Sequence, residues 1–174
     1  KTIASLIYDA KQSGWKDDSN YKRPGKAEIE ARRVAAAARA EQAAIEEAAL
    51  HEEAALRAKA IWDAATDAAS HPYLARKGVK LHGLRIGAWE YTDADTGEIY
   101  SIPNCLLIPI KSPKGKLRSL QCIESDPNRK KRYLAGGEKR GNFFAIGDTK
   151  SPLQHDGRKV FVLTEGYATA ASVH

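Results

Sequence analysis

The chain has 174 residues, 43% of them hydrophobic and 29% charged, with 28 basic and 22 acidic side chains for a net charge of +6. That length fits one domain, or one domain with an appendage. No apolar run approaches a membrane span, and charges enter KTIASLIYDAKQ too soon for a secretory signal.

The positive balance points to an anionic partner. The chain begins with lysine and contains no methionine, which reads as a piece of a longer protein. In chain order, Thr2 to Gln12 fits a short helix or a strand, and SGWKDDSNYKRPG has the composition of a loop. Residues 1–25 are therefore an N-terminal segment and loop.

Lys26 to Ala69 contains neither glycine nor proline, and 19 of its 44 positions are alanine. Glu, Arg, Leu and Gln fill many of the others, and these are strong helix formers. Glu28 with Arg32, and Glu53 with Arg57, sit at the favourable i,i+4 spacing. Residues 26–70 are predicted as one long helix, about 65 Å at 1.5 Å per residue. Val34, Ile45 and Leu56 recur every eleven residues, as do Leu50 and Ile61. That step keeps a stripe nearly straight along a helix. So thin a stripe leaves three readings open: packing on the domain, pairing with another helix in self-association or with a partner protein, or no packing role.

From Ser70 the pattern turns strand-like. In HPYLARKGV, Pro72 opens a short helix and Gly78 stops it. LRIGAWEY and EIYSI flank the turn sequence DADTG and predict a hairpin. CLLIPI and KLRSLQCI flank KSPKG and predict a second, with Pro113 and Gly115 suited to positions i+1 and i+3 of a type I turn. Alternation in LRSLQCI puts Leu117, Ser119, Gln121 and Ile123 on one face, and Arg118, Leu120 and Cys122 on the other. KRYLAGG, NFFAIG, a polar loop and the strand VFVLT follow. Cys105 and Cys122 stand singly in apolar runs and read as buried free thiols of a cytoplasmic protein. The five histidines have no metal-ligand spacing, so no zinc site is expected. The predicted class is α+β: a long N-terminal α-helix, then a small mixed or antiparallel β-rich subdomain over residues 71–158.

Charge is unevenly placed. Residues 1–70 hold 11 basic and 12 acidic side chains, and 71–110 with 141–174 hold 7 of each. Residues 111–140, KSPKGKLRSLQCIESDPNRKKRYLAGGEKR, hold 10 basic and 3 acidic, so the whole positive excess lies there. A solvated, solubilising surface would look the same on charge alone. Two features favour anion binding. Arg118, Arg129, Arg132 and Arg140 carry guanidinium forks that match phosphate. Tyr133 directly follows Lys130, Lys131 and Arg132, which combines phosphate contact with a ring for base stacking. The loop AGGEKRG, with Lys139 and Arg140, adds backbone able to approach an anion closely. The phosphate-loop spacing G-x-x-x-x-G-K-[ST] is missing. A single-stranded nucleic acid or a nucleoside triphosphate suits this surface.

Taken together, HPYLARKGV, LLIPI, GKLRSLQCI, KRYLAGG, NFFAIG and VFVLTEGYATA resemble, in order and spacing, the Toprim-type primases of conjugative plasmids and satellite phages. Those enzymes are related more distantly to the bacterial replicative primase. The resemblance runs from about Ala58 to the C-terminus, some two-thirds of the chain. It implies that residues 159–174 begin a parallel Toprim α/β fold, with VFVLT as its first strand. It also implies that Glu165 is the general acid or base of nucleotidyl transfer in primer synthesis. Attack of a 3′-hydroxyl on an α-phosphate needs proton movement, for which a positioned carboxylate is suited. Taken alone, Glu165 reads as an N-cap or first-turn carboxylate complementing a helix dipole.

The same resemblance implies Mg²⁺, held by an Asp-x-Asp pair on later strands. The sequence stops at His174 before any such strand, so no metal ligands are expected within this chain, and the chain alone is not expected to make primers. The letters Asp93–Ala94–Asp95 lie in a turn and read as a hairpin tip. RYLAGG stands where the replicative enzymes carry a lysine-tyrosine-leucine motif, which makes Arg132 the leading phosphate contact, followed by Arg118 and Lys131. The implied partners are a single-stranded DNA template and nucleoside triphosphates, with no membrane. Two other readings stand beside this one: a non-catalytic single-stranded nucleic-acid-binding module, and a helix-mediated oligomerisation element. A Toprim nuclease or topoisomerase would share Glu165 but does not account for the basic block and HPYLARKGV.

Overall fold

The computed structural model describes residues 2–15, 24–93, 95–129, 131–148 and 153–174. Residues 16–23 of the predicted loop, Ala94 of DADTG, Lys130 of the basic block and residues 149–152 of the polar loop lie outside the described residues. The chain forms two compact units, Lys1–Ala43 and Ala44–His174. The first holds helix α1 (Ile3–Gln12) and the beginning of helix α2 (Lys26–Ala64). Thr2 resolves the helix-or-strand alternative for α1: its hydroxyl accepts the Ser5 N–H at 3.4 Å and caps the helix.

Helix α2 forms as its alanine content predicts, but it stops at Ala64 rather than running to residues 69–70. Tertiary contacts override propensity there. Arg85 donates to the carbonyl of Trp62 at 2.8 Å, lies 4.9 Å above the Trp62 ring and pairs with Asp67 at 3.3 Å. Thr66–Asp67 consequently leaves the helix as strand β1, paired with β2 (Arg85–Thr92). The packing face of α2 is its alanines. Ala54 and Ala58 are buried against the sheet, with Ile61 and Trp62 beside them. Of the eleven-residue stripe only Ile61 packs on the sheet: Ile45 is 59% exposed and Leu56 is 70% exposed.

The second unit is built on a five-stranded antiparallel sheet in the order β1-β2-β3-β4-β5, with β3 at Ile99–Lys111, β4 at Leu117–Ile123 and β5 at Arg132–Tyr133. The runs EIYSI and CLLIPI, expected as separate strands, are one strand, β3. Pro103 does not break it because the register against β2 shifts there, between the pairs Gly87–Cys105 and Trp89–Ile102. A proline at a bulge removes no ladder hydrogen bond. DADTG forms the hairpin tip between β2 and β3, with the Asp93 carboxylate accepting the N–H groups of Asp95 and Thr96 at 3.0 Å each. KSPKG turns the chain from β3 to β4, with the Gly115 N–H donating to Ser112 O at 2.8 Å.

Both faces of the sheet are covered, as the alternation from Leu120 to Ile123 requires; Leu117, expected on the Ile123 face, packs with Leu120 and Cys122 instead, past the register shift between Ile110 and Lys111. One face brings Cys105, Leu107, Leu120 and Cys122 onto Ala54 and Ala58 of α2. The other brings Leu106, Ile108 and Ile123 onto Tyr73 and Leu74 of α3 (Pro72–Lys77) and onto Tyr167 and Ala171 of α4 (Tyr167–Val173). Cys105 and Cys122 are free and buried. The Cys105 thiol beside it and burial push the Cys122 thiol well above its usual range.

The molecule is thus mixed α+β, with a long N-terminal helix and an antiparallel sheet. Its C-terminal part differs from the expected parallel strand at VFVLT. Strand β7 (Arg158–Val160) ends at the first residue of that run and pairs antiparallel with β6 (Leu153–His155). Phe161 to Thr164 continue without strand pairing, and Leu163 is 95% exposed. A strand exists only where a neighbour takes its N–H and C=O groups, and no described segment lies alongside this one. Among the described residues, no helix is long and apolar enough to cross a membrane.

Candidate nucleic-acid interface

HPYLARKG is a structural brace for the basic region. The Nδ1 of His71 accepts the Tyr73 N–H at 3.2 Å, which caps α3, while its Nε2 lies 3.1 Å from Asn104 O on β3. Arg76 donates to Ser125 O at 2.8 Å, just beyond β4. Burial pulls the pKa of His71 down, so the capping neutral form is favoured. This brace fixes the segment carrying Glu124, and Glu124 in turn holds Arg132.

The arginines read as leading phosphate contacts are committed to the protein's own carboxylates. Arg118, whose side chain is 12% exposed, donates from Nε to Glu138 and from Nη1 to Glu52, both at 2.6 Å. Lys116 also reaches Glu52, at 2.9 Å. These two cations hold the Glu52 carboxyl down at about 2 and tie α2 to the start of β4. Arg132 pairs with Glu124 and lies 4.3 Å above the Tyr91 ring. Arg129 sits 3.9 Å from Asp126. Of the predicted contacts, those left facing outward are Lys131, 5.5 Å above the Tyr73 ring, Lys139, 4.9 Å above the Tyr133 ring, and the exposed Arg140; Lys111 and Lys114 are exposed as well.

The glycine pair in AGGEKRG also serves the fold. A Cβ on Gly137 would stand 2.0 Å from the Ser119 hydroxyl and 2.9 Å from Leu134 O. Gly136 has φ +73° and faces Leu50 O and Ala54 of α2, and Arg57 of α2 donates to Ala135 O at 3.0 Å. The loop's close approach is therefore to α2 and β4. Its far end delivers Lys139 and Arg140 to the surface.

Three of the predicted site residues meet. Tyr133 of β5, Lys139 of the loop and Glu165 ahead of α4 line one cavity of about 250 Å³, floored by Ile108 and Ile110. Lys139 and Arg140 also line a second cavity of about 480 Å³, with His51 and Glu47 of α2. Arg118, Lys131 and Arg132 line neither. Glu165 is exposed on the rim of the first cavity. The N-cap of α4 is Gly166, so Glu165 is neither the cap nor a first-turn residue. Among the described residues, no hydrogen bond or ion pair holds its carboxylate. The tyrosine of EGYATA positions it: Tyr167 is buried against Phe144, and its hydroxyl donates to Lys80 O. Burial pushes that hydroxyl up to about 12.

The cavity also contains residues absent from the predicted set. Gln121 pairs across the sheet with both Ile108 and Tyr133, which places its amide on the cavity side of β4. Its signal in the sequence was a long polar side chain between Leu120 and Cys122, on the same strand face as Ile123. Phe143 is 48% exposed at the rim, while Phe144 packs inward. Adjacent aromatics in an extended run point opposite ways, so one of the two had to face outward.

The resemblance implies Mg²⁺. Among the described residues, no group of three or more His, Cys, Asp or Glu side chains is placed to hold a metal ion. The Asp93 carboxylate is already bound to its own turn. The described residues do not fit a Mg²⁺ site. Compared with family models, curated proteins and solved structures, the chain matches none of them.

Proposed function

We propose that this chain handles the single-stranded DNA template and the incoming nucleoside triphosphate in primer synthesis, as part of a Toprim-type primase of the cytoplasm. The observation that carries the reading is the meeting of Tyr133, Lys139 and Glu165, from three separate segments, at one cavity. A ring, a cation and a carboxylate with no capping role are what a site for stacked bases, phosphate and proton transfer needs. Lys131, Lys139 and Arg140 take the phosphates. Arg118 and Arg132, bound to Glu52, Glu138 and Glu124, hold the surface in shape. In the transfer step the primer 3′-oxygen attacks the α-phosphorus, the bond to the bridging oxygen breaks and pyrophosphate leaves. The hydroxyl proton passes to the Glu165 carboxylate.

The test is primer synthesis by a protein that contains this chain together with an Mg²⁺-binding Asp-x-Asp pair. Glu165→Gln should lower synthesis roughly 10²-fold or more, the scale for loss of an acid–base group, with strand binding retained. Full activity in that variant would remove Glu165 from the chemistry. Strand binding without synthesis in the parent protein would leave a non-catalytic binding module.

A further inference from the structure

We infer that the cavity beside Glu165 takes one unpaired nucleobase of the bound strand, clamped by Tyr133 and Phe143, with Gln121 reading the base's hydrogen-bonding edge. This rests on the strand-handling reading above and assigns a residue-level specificity to it.

The floor of the cavity is apolar, formed by the buried Ile108 and Ile110. Its rim carries two large aromatic side chains that the fold leaves exposed, Tyr133 at 45% and Phe143 at 48%. Neither ring is needed to hold its own backbone. Tyr133 is secured by pairing opposite Gln121, and Phe143 by two 2.9 Å hydrogen bonds with Lys111. An exposed aromatic pair around an apolar hollow matches the two faces of a planar heteroaromatic ring. Lys139 lies 4.9 Å from the centre of the Tyr133 ring and lines the same cavity, which puts a cation next to the ring.

Gln121 supplies the polar element. It is half-buried, and among the described residues its amide has no hydrogen-bond partner. Its amide atoms are not among the fully buried atoms left without a partner, so they remain open to solvent and to a ligand in the cavity. The amide offers both a donor and an acceptor, the pair that matches a base edge. Lys139 and Arg140 beside the cavity match the phosphates on either side of the flipped-in base. A duplex keeps its bases stacked within the helix, so the occupant is a base of a single strand.

Fluorescence anisotropy on the full chain tests this with single strands of deoxyadenylate, deoxycytidylate and thymidylate, and with an abasic strand of equal length. The strands with bases should bind tighter than the abasic strand by about fivefold or more, the lower end of what one stacked base contributes. Phe143→Ala should abolish that difference and Phe143→Tyr should keep it. Gln121→Leu should shrink the spread among the three base-bearing strands to about twofold or less, with the salt dependence unchanged. Equal binding of abasic and base-bearing strands would overturn the cavity proposal and leave the phosphate surface standing. An equal affinity of the parent chain for all three bases would overturn the role of Gln121. No binding to any strand would bring down the strand-handling reading, and this proposal with it.

Discussion

Arg118 has the residue type and charge setting of a phosphate contact, and its guanidinium ends between two carboxylates. One of them, Glu52, lies 66 residues away in sequence. A guanidinium fork fits carboxylate and phosphate equally well, so the letter alone could not say which it meets. Arg118→Ala should lower stability by about 1–2 kcal/mol, the scale for a lost charge-assisted hydrogen bond with one exposed partner. Strand affinity should hardly change. Urea melts and binding titrations on the same variant separate the two effects. The pH dependence follows from Glu52. Its carboxyl is lowered from 4.5 to about 2 by Lys116 and Arg118. The stability it contributes is fully present above pH 4.5 and fades as pH falls toward 2. Glu52→Gln should flatten the stability profile in that window; an unchanged acid limb would show that the pairing contributes nothing in solution.

The existence of α2 was legible because composition alone decides a glycine-free, alanine-rich segment. Which face it buries was not. The large apolar residues draw the eye, yet Val34, Ile45 and Leu56 are exposed, and the sheet is met by Ala54 and Ala58. Small side chains let the helix lie close to Cys105, Leu107 and Cys122, and close approach needs volume to be absent. Ala58→Leu should therefore cost about 1–3 kcal/mol through overpacking, while Leu56→Ala should stay within about 0.5 kcal/mol. Thermal or urea unfolding would reveal a reversal of that order, which would place the packing face elsewhere. Gly137 follows the same logic in the loop. Gly137→Ala should destabilise because its Cβ would stand 2.0 Å from the Ser119 hydroxyl, and adding Ser119→Gly should recover part of the loss. No recovery in the double variant would mean that the clash with Leu134 O dominates. The hairpins were legible from their turns, whereas VFVLT was not. Its apolar run promises a strand, but pairing depends on a neighbour, and none of the described segments supplies one.

At the scale of the whole molecule, net charge misleads unless it is placed. The excess is confined to residues 111–140, and the fold then divides that block in two. Arg118 and Arg132 are paired inward with carboxylates and the exposed Lys116 is paired with Glu52, while Lys131, Lys139 and Arg140 face outward beside the exposed Lys111 and Lys114. The cavity joining Tyr133, Lys139 and Glu165 required β4, β5 and α4 to converge, which no local pattern encodes. The most direct test of the proposed interface is the salt dependence of single-strand binding, measured by fluorescence anisotropy across a range of salt concentrations. Three or four phosphate contacts predict a slope of log K against log salt of about −2 to −3, at roughly 0.7 per contact for single strands. Replacing Lys139 and Arg140 together by alanine should make the slope shallower by about 1.4, whereas Arg132→Ala should leave it unchanged. Binding that ignores salt, or a Lys139→Ala/Arg140→Ala variant whose slope equals that of the parent chain, would contradict the assignment of this surface to a nucleic-acid strand.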